Sequence, residues 1–221
     1  MFIPIRDNAP RTRVPLVNYF LIVANIVIFF FTAFRPPSEF RQIVLTFGAV
    51  PARPEFITLI TSAFLHADIF HIGFNMLFLW IFGDNIEDKL GHLLYLVFYI
   101  ASAAVAAAVY CLLNAQSSVP VIGASGAVSA VLGAYVILYS HYRVTVFYWL
   151  FLRVGVASMA AGWFLAIWFA LQIFYGLFET EIGGEVAYSA HIAGFLFGLI
   201  IAIVGLVTHL LRREINYTYD V

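Results

Sequence analysis

Val121-Ile122-Gly123-Ala124-Ser125-Gly126-Ala127 opens an apolar segment that runs to about Tyr139. Gly123 and Gly126 flank a serine where a membrane-spanning helix ordinarily carries Leu or Val. A lone serine is inexpensive in such a helix, because its hydroxyl can bond a backbone carbonyl one turn back. Ser125 therefore acquires meaning only through what lies elsewhere at the same depth.

The surrounding chain is built for a bilayer. It is 63% hydrophobic and 10% charged, against about 25% charged residues in soluble domains. The expected class is an all-α membrane protein with one helical bundle. A net charge of −1 offers no field for nucleic acid, and no nucleic-acid partner is expected. The single cysteine, Cys111, excludes an intrachain disulfide. No Cys/His cluster with zinc spacing and no HExxH motif occurs, so no metal or cofactor is expected. Arg6, Asp7, Arg11 and Arg13 precede an apolar run too long for the core of a cleavable signal.

A spanning helix needs roughly 20 mostly apolar residues. Six segments satisfy this: Val14–Ala33, His66–Asn85, Gly91–Leu113, Val121–Tyr139, Ser158–Leu177 and Tyr188–Leu211. Residues 1–13 read as a polar tail, and 212–221 as another. Residues 34–65 hold Pro36, Pro37, Pro51 and Pro54 and are too polar to cross as a helix. Phe40, Ile43, Val44, Leu45, Phe47 and Val50 make the stretch amphipathic, so it reads as a structured loop in the interface. Segment 146–157 is aromatic and apolar but interrupted by Arg153; an interfacial segment and the start of a helix both fit it. Residues 178–187 read as an acidic loop.

Six spans put both termini on one side. Arg6, Arg11, Arg13, Lys89, Arg143, Arg153, Arg212 and Arg213 lie there, against Arg35, Arg41 and Arg53 on the other. The positive-inside rule then makes the termini cytoplasmic. Spans two, four and six all start on the outer face, so the polar residues of their first turns share one depth. These are His66, His71 and Asn75 on span two, Ser125 on span four, and Tyr188, Ser189 and His191 on span six. Imidazoles and amides are costly in a span and face a bundle interior or a wet cavity.

A hydroxyl is a weak nucleophile at neutral pH unless a base takes its proton. His191 is the candidate base. Gly194 and Gly198 beside it, and Gly123, Gly126, Ala127, Ala130, Gly133 and Ala134 on span four, form small-residue stripes that permit close helix approach. The only carboxylate near these outer turns is Asp68, at the mouth of span two. The candidate chemistry is thus a Ser–His dyad. Acyl transfer also needs donors for an oxyanion. His71 and Asn75 are four apart and project from one helical face, and the Ser125 N–H near a helix start adds a third donor.

His66, His71 and Asn75 in HxxxxHxxxN spacing, the GASG of Gly123–Gly126, the GDNIEDKLG of Gly83–Gly91 and the AHIAGFLFG of Ala190–Gly198 together resemble the rhomboid intramembrane serine proteases. The resemblance covers nearly the whole chain. It implies a six-transmembrane-helix rhomboid-type bundle over 14–211 with an amphipathic interfacial first loop. It also implies an endopeptidase that cleaves single-span membrane proteins within or beside their spanning helix. Ser125 would be nucleophile, His191 general base, and His71, Asn75 and the Ser125 amide the oxyanion site. Span five would be the candidate substrate gate. Two positions depart from patterns found in some members: Pro54-Glu55-Phe56-Ile57 stands where a Trp-Arg pair can occur, and Ser129 where an aromatic can stack on the base. The short loops fit a prokaryotic plasma membrane. A catalytically inactive relative that binds spanning helices is the alternative, and a small transporter the more distant one.

Overall fold

The computed structural model describes residues 2–150, 153–177 and 186–211. Most of the expected acidic loop, and the 212–221 tail, lie outside the described residues. The expected spans appear as six apolar helices. They are α1 (Leu16–Ala33), α4 (Ile69–Leu90), α5 (His92–Leu113), α6 (Ser125–Leu138), α7 (Ala161–Leu177) and α8 (Tyr188–Val207). The protein is a membrane-embedded, multi-pass helical bundle. Four of these helices, α1, α4, α5 and α8, are each long and apolar enough to cross a membrane. The first loop carries two more helices, α2 (Pro37–Phe47) and α3 (Phe56–Thr61). α2 buries none of its residues, as a helix lying in an interface would not.

α6 is the central helix. It is buried almost continuously from Gly126 to Tyr135 and packs against α4, α5 and α8. Its contact with α8 is made backbone to backbone. A Cβ on Gly198 would lie 1.8 Å from the Ala130 carbonyl oxygen, and one on Gly194 2.1 Å from that of Gly126. Reciprocally, a Cβ on Gly133 would lie 2.0 Å from the Phe195 carbonyl oxygen. The small-residue stripes thus do what their spacing implies: they let two helices meet without intervening side chains.

α6 is also shorter than expected. It starts at Ser125 and not at Val121, because Val121 bridges to Ala49, Gly123 takes a positive φ and Ala124 turns the chain into the helix. Fourteen residues make a helix of about 21 Å, well short of the roughly 30 Å hydrocarbon core. This non-helical lead-in brings the chain in from the surface and sets Ser125 below it.

At the other end of the bundle the mostly helical chain also carries three strands. Phe2–Asp7 is a strand, β1, and the ambiguous 146–157 region belongs to a hairpin of β2 (Arg143–Leu150) and β3 (Arg153–Ala160). The three form an antiparallel sheet in the order β1-β2-β3. The β-branched and aromatic residues of RVTVFYWL favour a strand, and Val144 and Val146 alternate inward to join the core. Pro4 is tolerated because β1 is an edge strand. The N-terminal segment is tied down further: Arg11 pairs with Asp84 at 2.7 Å, and Thr12 and Arg13 donate backbone N–H bonds to Asp88.

Buried polar groups lock α1 to α4 and α5. Glu87, on α4, is 1% exposed. It accepts the N–H groups of Val17 and Asn18 at the start of α1, at 2.9 and 2.7 Å, and contacts His92. This satisfies amides that a helix N-terminus otherwise leaves unpaired. Asn18 donates to the Leu79 carbonyl and accepts from the Tyr95 hydroxyl. Gly83 makes room for that pair: a Cβ there would lie 2.3 Å from the Asn18 side-chain oxygen. Gly91, at φ +74, takes the left-handed turn that joins α4 to α5 without a loop.

Two measurements test this framework. Gly198→Ala forces a methyl into the Ala130 backbone and should destabilise by about 1–3 kcal/mol or more. Gly73→Ala, with nothing within 4 Å, should be neutral or stabilising by up to about 1 kcal/mol; thermal melts in detergent compare them. The second concerns Asp7, which accepts a hydrogen bond from Tyr135. Burial, opposed in part by that bond, pushes its carboxyl from 3.8 up to about 6. A raised folded-state value adds stability at low pH that is lost as pH rises through about 6. The wild type should melt higher at pH 5 than at pH 7, and Asp7→Asn should narrow the difference.

Candidate active site

Each side chain of the constellation is placed by a local device. Asp68 is the N-cap of α4: its carboxylate accepts from the N–H groups of Phe70 and His71 at 2.7 and 2.9 Å. The carboxylate at the mouth of α4 is therefore committed to a helix start, where it favours the dipole. His71 and Asn75 follow on the first turns of α4. The His71 Nδ1 accepts a long bond from the Ala67 N–H, at 3.5 Å, which assigns the ring proton to Nε2.

That Nε2 looks across Gly123. A Cβ on Gly123 would lie 2.5 Å from it and 3.6 Å from Ser125 Oγ, so the imidazole and the hydroxyl border one small space that glycine leaves open. Gly123 also holds φ at +122, a value that L side chains rarely adopt. The segment before Ser125 is pinned on three sides by the first loop. Val121 exchanges backbone bonds with Ala49, Gly123 donates to the Ser62 carbonyl at 2.9 Å, and Ala124 donates to His66 Nε2 at 3.4 Å. His66 is fully buried and so organises this loop and does not line the cavity. Asn75 is 6% exposed, with one of its two amide N–H groups spent on the His71 carbonyl at 3.0 Å.

Ser125 is the first residue of α6, so its N–H falls in the turn that has no intrahelical acceptor. Its carbonyl accepts from the Ser129 hydroxyl at 2.6 Å; the position where an aromatic could stack on the base is thus occupied with a local bond. His191 lies in the first turn of α8. Ser125, His191, His71 and Asn75 all border one cavity of about 490 Å³ between α4, α6, α7 and α8. Loop residues Ala67, Val119, Pro120 and Val186 also line it, so it reaches the loops at this end of the bundle. Among the described residues no hydrogen bond joins Ser125 to His191. Catalytic contacts in unliganded enzymes are often long and tighten when substrate binds.

α7 brings two residues that the motif reading missed. Gln172 Oε1 lies 2.8 Å from His191 Nδ1, and the Trp168 ring stacks beside the imidazole at 6.4 Å between centroids, inclined 28°. Tyr188 meets the imidazole edge-on at 6.2 Å. A glutamine inside an otherwise apolar span was the available signal. Ser189, grouped with these residues by depth, keeps its hydroxyl buried away from the described hydrogen-bonding groups.

The comparisons agree with this architecture. The Rhomboid domain matches residues 53–208, most of the chain, and the protein belongs to the rhomboid family. It is 31% identical over 156 residues to the mitochondrial Rhomboid protein 1 of Saccharomyces cerevisiae, covering 65% of this chain and 40% of that protein. It is 34% identical over 153 residues to the mitochondrial RHOMBOID-like protein 12 of Arabidopsis thaliana, covering 62% and 43%. With the rhomboid protease GluP of Bacillus subtilis it shares 32% identity over 127 residues, covering 54% and 24%. The chain thus spans less than half the length of these curated relatives.

Gly123→Ala tests the open space between His71 and Ser125. The methyl strains the backbone and displaces the His71 ring, so the variant should melt lower than the wild type. Its Ser125 should also react more slowly with a fluorophosphonate probe. A variant that matches the wild type in both would show that this space is not needed.

Proposed function

We propose that this protein is an intramembrane serine endopeptidase that cleaves single-span membrane proteins within or next to their spanning helix. The observation that carries the reading is the convergence of Ser125, His191, His71 and Asn75 on one cavity that extends from mid-bundle to the loops. Membership in a family that includes the protease GluP supports it.

In this reading the bound segment presents its scissile carbonyl over Gly123. Ser125 Oγ attacks the carbonyl carbon while its proton passes to His191 Nε2. The carbonyl oxygen becomes an oxyanion, held by the Ser125 N–H, His71 Nε2–H and the Asn75 amide. His191 then gives its proton to the leaving amine as the C–N bond breaks, which leaves an acyl-Ser125. A water entering from the loop side, deprotonated by His191, releases the new carboxyl end and restores the serine. His191 is both acceptor and donor, so the dyad needs no carboxylate, consistent with the use of Asp68 as a helix cap.

The arginine asymmetry supports placing the terminal end, with its β-sheet, on the cytoplasmic side and the cavity on the outer side. The expected prokaryotic plasma membrane has a bacterial relative in its favour and relatives with mitochondrial names against it.

Cleavage of a reporter with a small residue and helix-breaking residues near its span decides the matter. Ser125→Ala and His191→Ala should each abolish it, and Asn75→Ala should lower turnover by about 10²–10³, the loss typical of one oxyanion donor. Full activity in either dyad variant ends the reading. A fluorophosphonate that fails to label Ser125 in the wild type favours an inactive relative that binds spanning helices.

A further inference from the structure

An imidazole acts as base for Ser125 only in one of its two neutral forms. The nitrogen facing the serine must carry the lone pair, so the other must carry the proton. In the serine hydrolases with a triad, a carboxylate enforces this choice. Here Asp68 is committed to capping α4, and neither α7 (Ala161–Leu177) nor α8 (Tyr188–Val207) contains an acidic residue. Among the described residues, the side chain placed to select the form of His191 is an amide.

We propose that Gln172 is the positioning residue of the base: its side-chain oxygen accepts the Nδ1–H of His191 and so keeps the Nε2 lone pair directed at Ser125. The assignment rests on the protease reading of Ser125 and His191 and supplies the partner that reading lacks.

Three observations carry it. The Gln172 Oε1 to His191 Nδ1 distance of 2.8 Å is that of a well-formed hydrogen bond. An amide oxygen can only accept, so this pairing puts the proton on Nδ1. Second, apart from indole and phenol groups, Gln172 is the only hydrogen-bonding side chain on α7, and it is turned to the cavity lined by Ser125 and His191. Third, Trp168 precedes it by four residues, on the same helical face, and stacks beside the same imidazole. One residue limits rotation in the ring plane and the other limits tilt out of it. Ser129, at the position on α6 from which a ring could have done the second task, is occupied with the Ser125 carbonyl. A neutral amide also suits the location, since it orders the base without burying another charge in the bilayer.

The alternative chemistry is specific. With the amide reversed, its N–H would donate to Nδ1, and the proton would sit on Nε2, facing the serine in the unreactive form. A third possibility is that Gln172 merely ties α7 to α8.

Nitrogen-15 spectra of the full chain in detergent, labelled at histidine and with His191 assigned by His191→Ala, separate these cases. The expected wild-type spectrum shows a protonated Nδ1 and an unprotonated Nε2, and Gln172→Leu shows a mixture of the two forms. In the reporter assay Gln172→Leu should lose about tenfold or more in kcat with KM within about twofold. Gln172→Glu, which retains an acceptor, should keep the Nδ1-protonated form and most of kcat. It should also move the acidic limb of kcat/KM to higher pH, because a carboxylate stabilises the imidazolium. The other titratable groups around the cavity, His71, Tyr110, Tyr188 and Asp68, are common to both variants and do not account for a difference between them.

A wild-type spectrum with the proton on Nε2 overturns the assignment, whatever the activities. So does unchanged kcat in Gln172→Leu alongside a merely lowered melting temperature, the result expected of a tie between helices. A wild type that neither cleaves the reporter nor labels at Ser125 overturns the protease reading and this assignment with it. A wild type that does both, with a Gln172→Leu variant of equal kcat, overturns this assignment alone.

Discussion

α6 and α8 meet backbone to backbone, and that contact sets the geometry of the bundle around them. Gly194 and Gly198 lie against the carbonyls of Gly126 and Ala130, and Gly133 against that of Phe195. With no side chains between the two helices, their separation is set by backbone dimensions. Ser125 begins one helix and His191 lies in the first turn of the other, so the two side chains inherit that separation. In a bilayer, where apolar side chains gain little by leaving lipid for protein, such close approach is a main source of helix association.

The first loop extends this control to the approach of the serine. Val121, Gly123 and Ala124 each give a backbone N–H to the segment between Ala49 and His66. That segment otherwise carries the interfacial α2 and α3. The non-helical lead-in shortens α6, whose first turn borders the cavity. α7 closes the cavity with Trp168 and Gln172, yet buries only Ala161, Phe164 and Leu165 among its residues. The cavity wall is therefore held least firmly on the α7 side.

Much of this was legible in the sequence, for physical reasons. Apolar runs of about 20 residues located the six helices, and the cost of polar groups in a span singled out His71, Asn75, Ser125 and His191. The small-residue stripes announced the α6–α8 contact. The strands were not legible. FIPIRD is too short and polar to suggest a partner in RVTVFYWL, more than a hundred residues away, and an apolar aromatic run has no period that separates strand from helix. Nor was the start of α6 legible, since Val121–Ala124 is as apolar as the helix it precedes. Only its backbone bonds with Ala49, Ser62 and His66 show that it lies outside the helix. Gln172 passed unnoticed because its partner is nineteen residues away on another helix; a motif records spacing within an element, not contact between two.

The Glu87 contact with the first turn of α1 fixes an order of events. The amides of Val17 and Asn18 are made about seventy residues before the carboxylate that receives them. During synthesis α1 therefore enters the membrane with its leading amides unsatisfied and must borrow water or headgroups until α4 arrives. Tyr95 of α5, the partner of Asn18, arrives later still. The hydrogen bonds of the first helix are thus completed only when the third span is made, and those of β1 later still, when β2 follows.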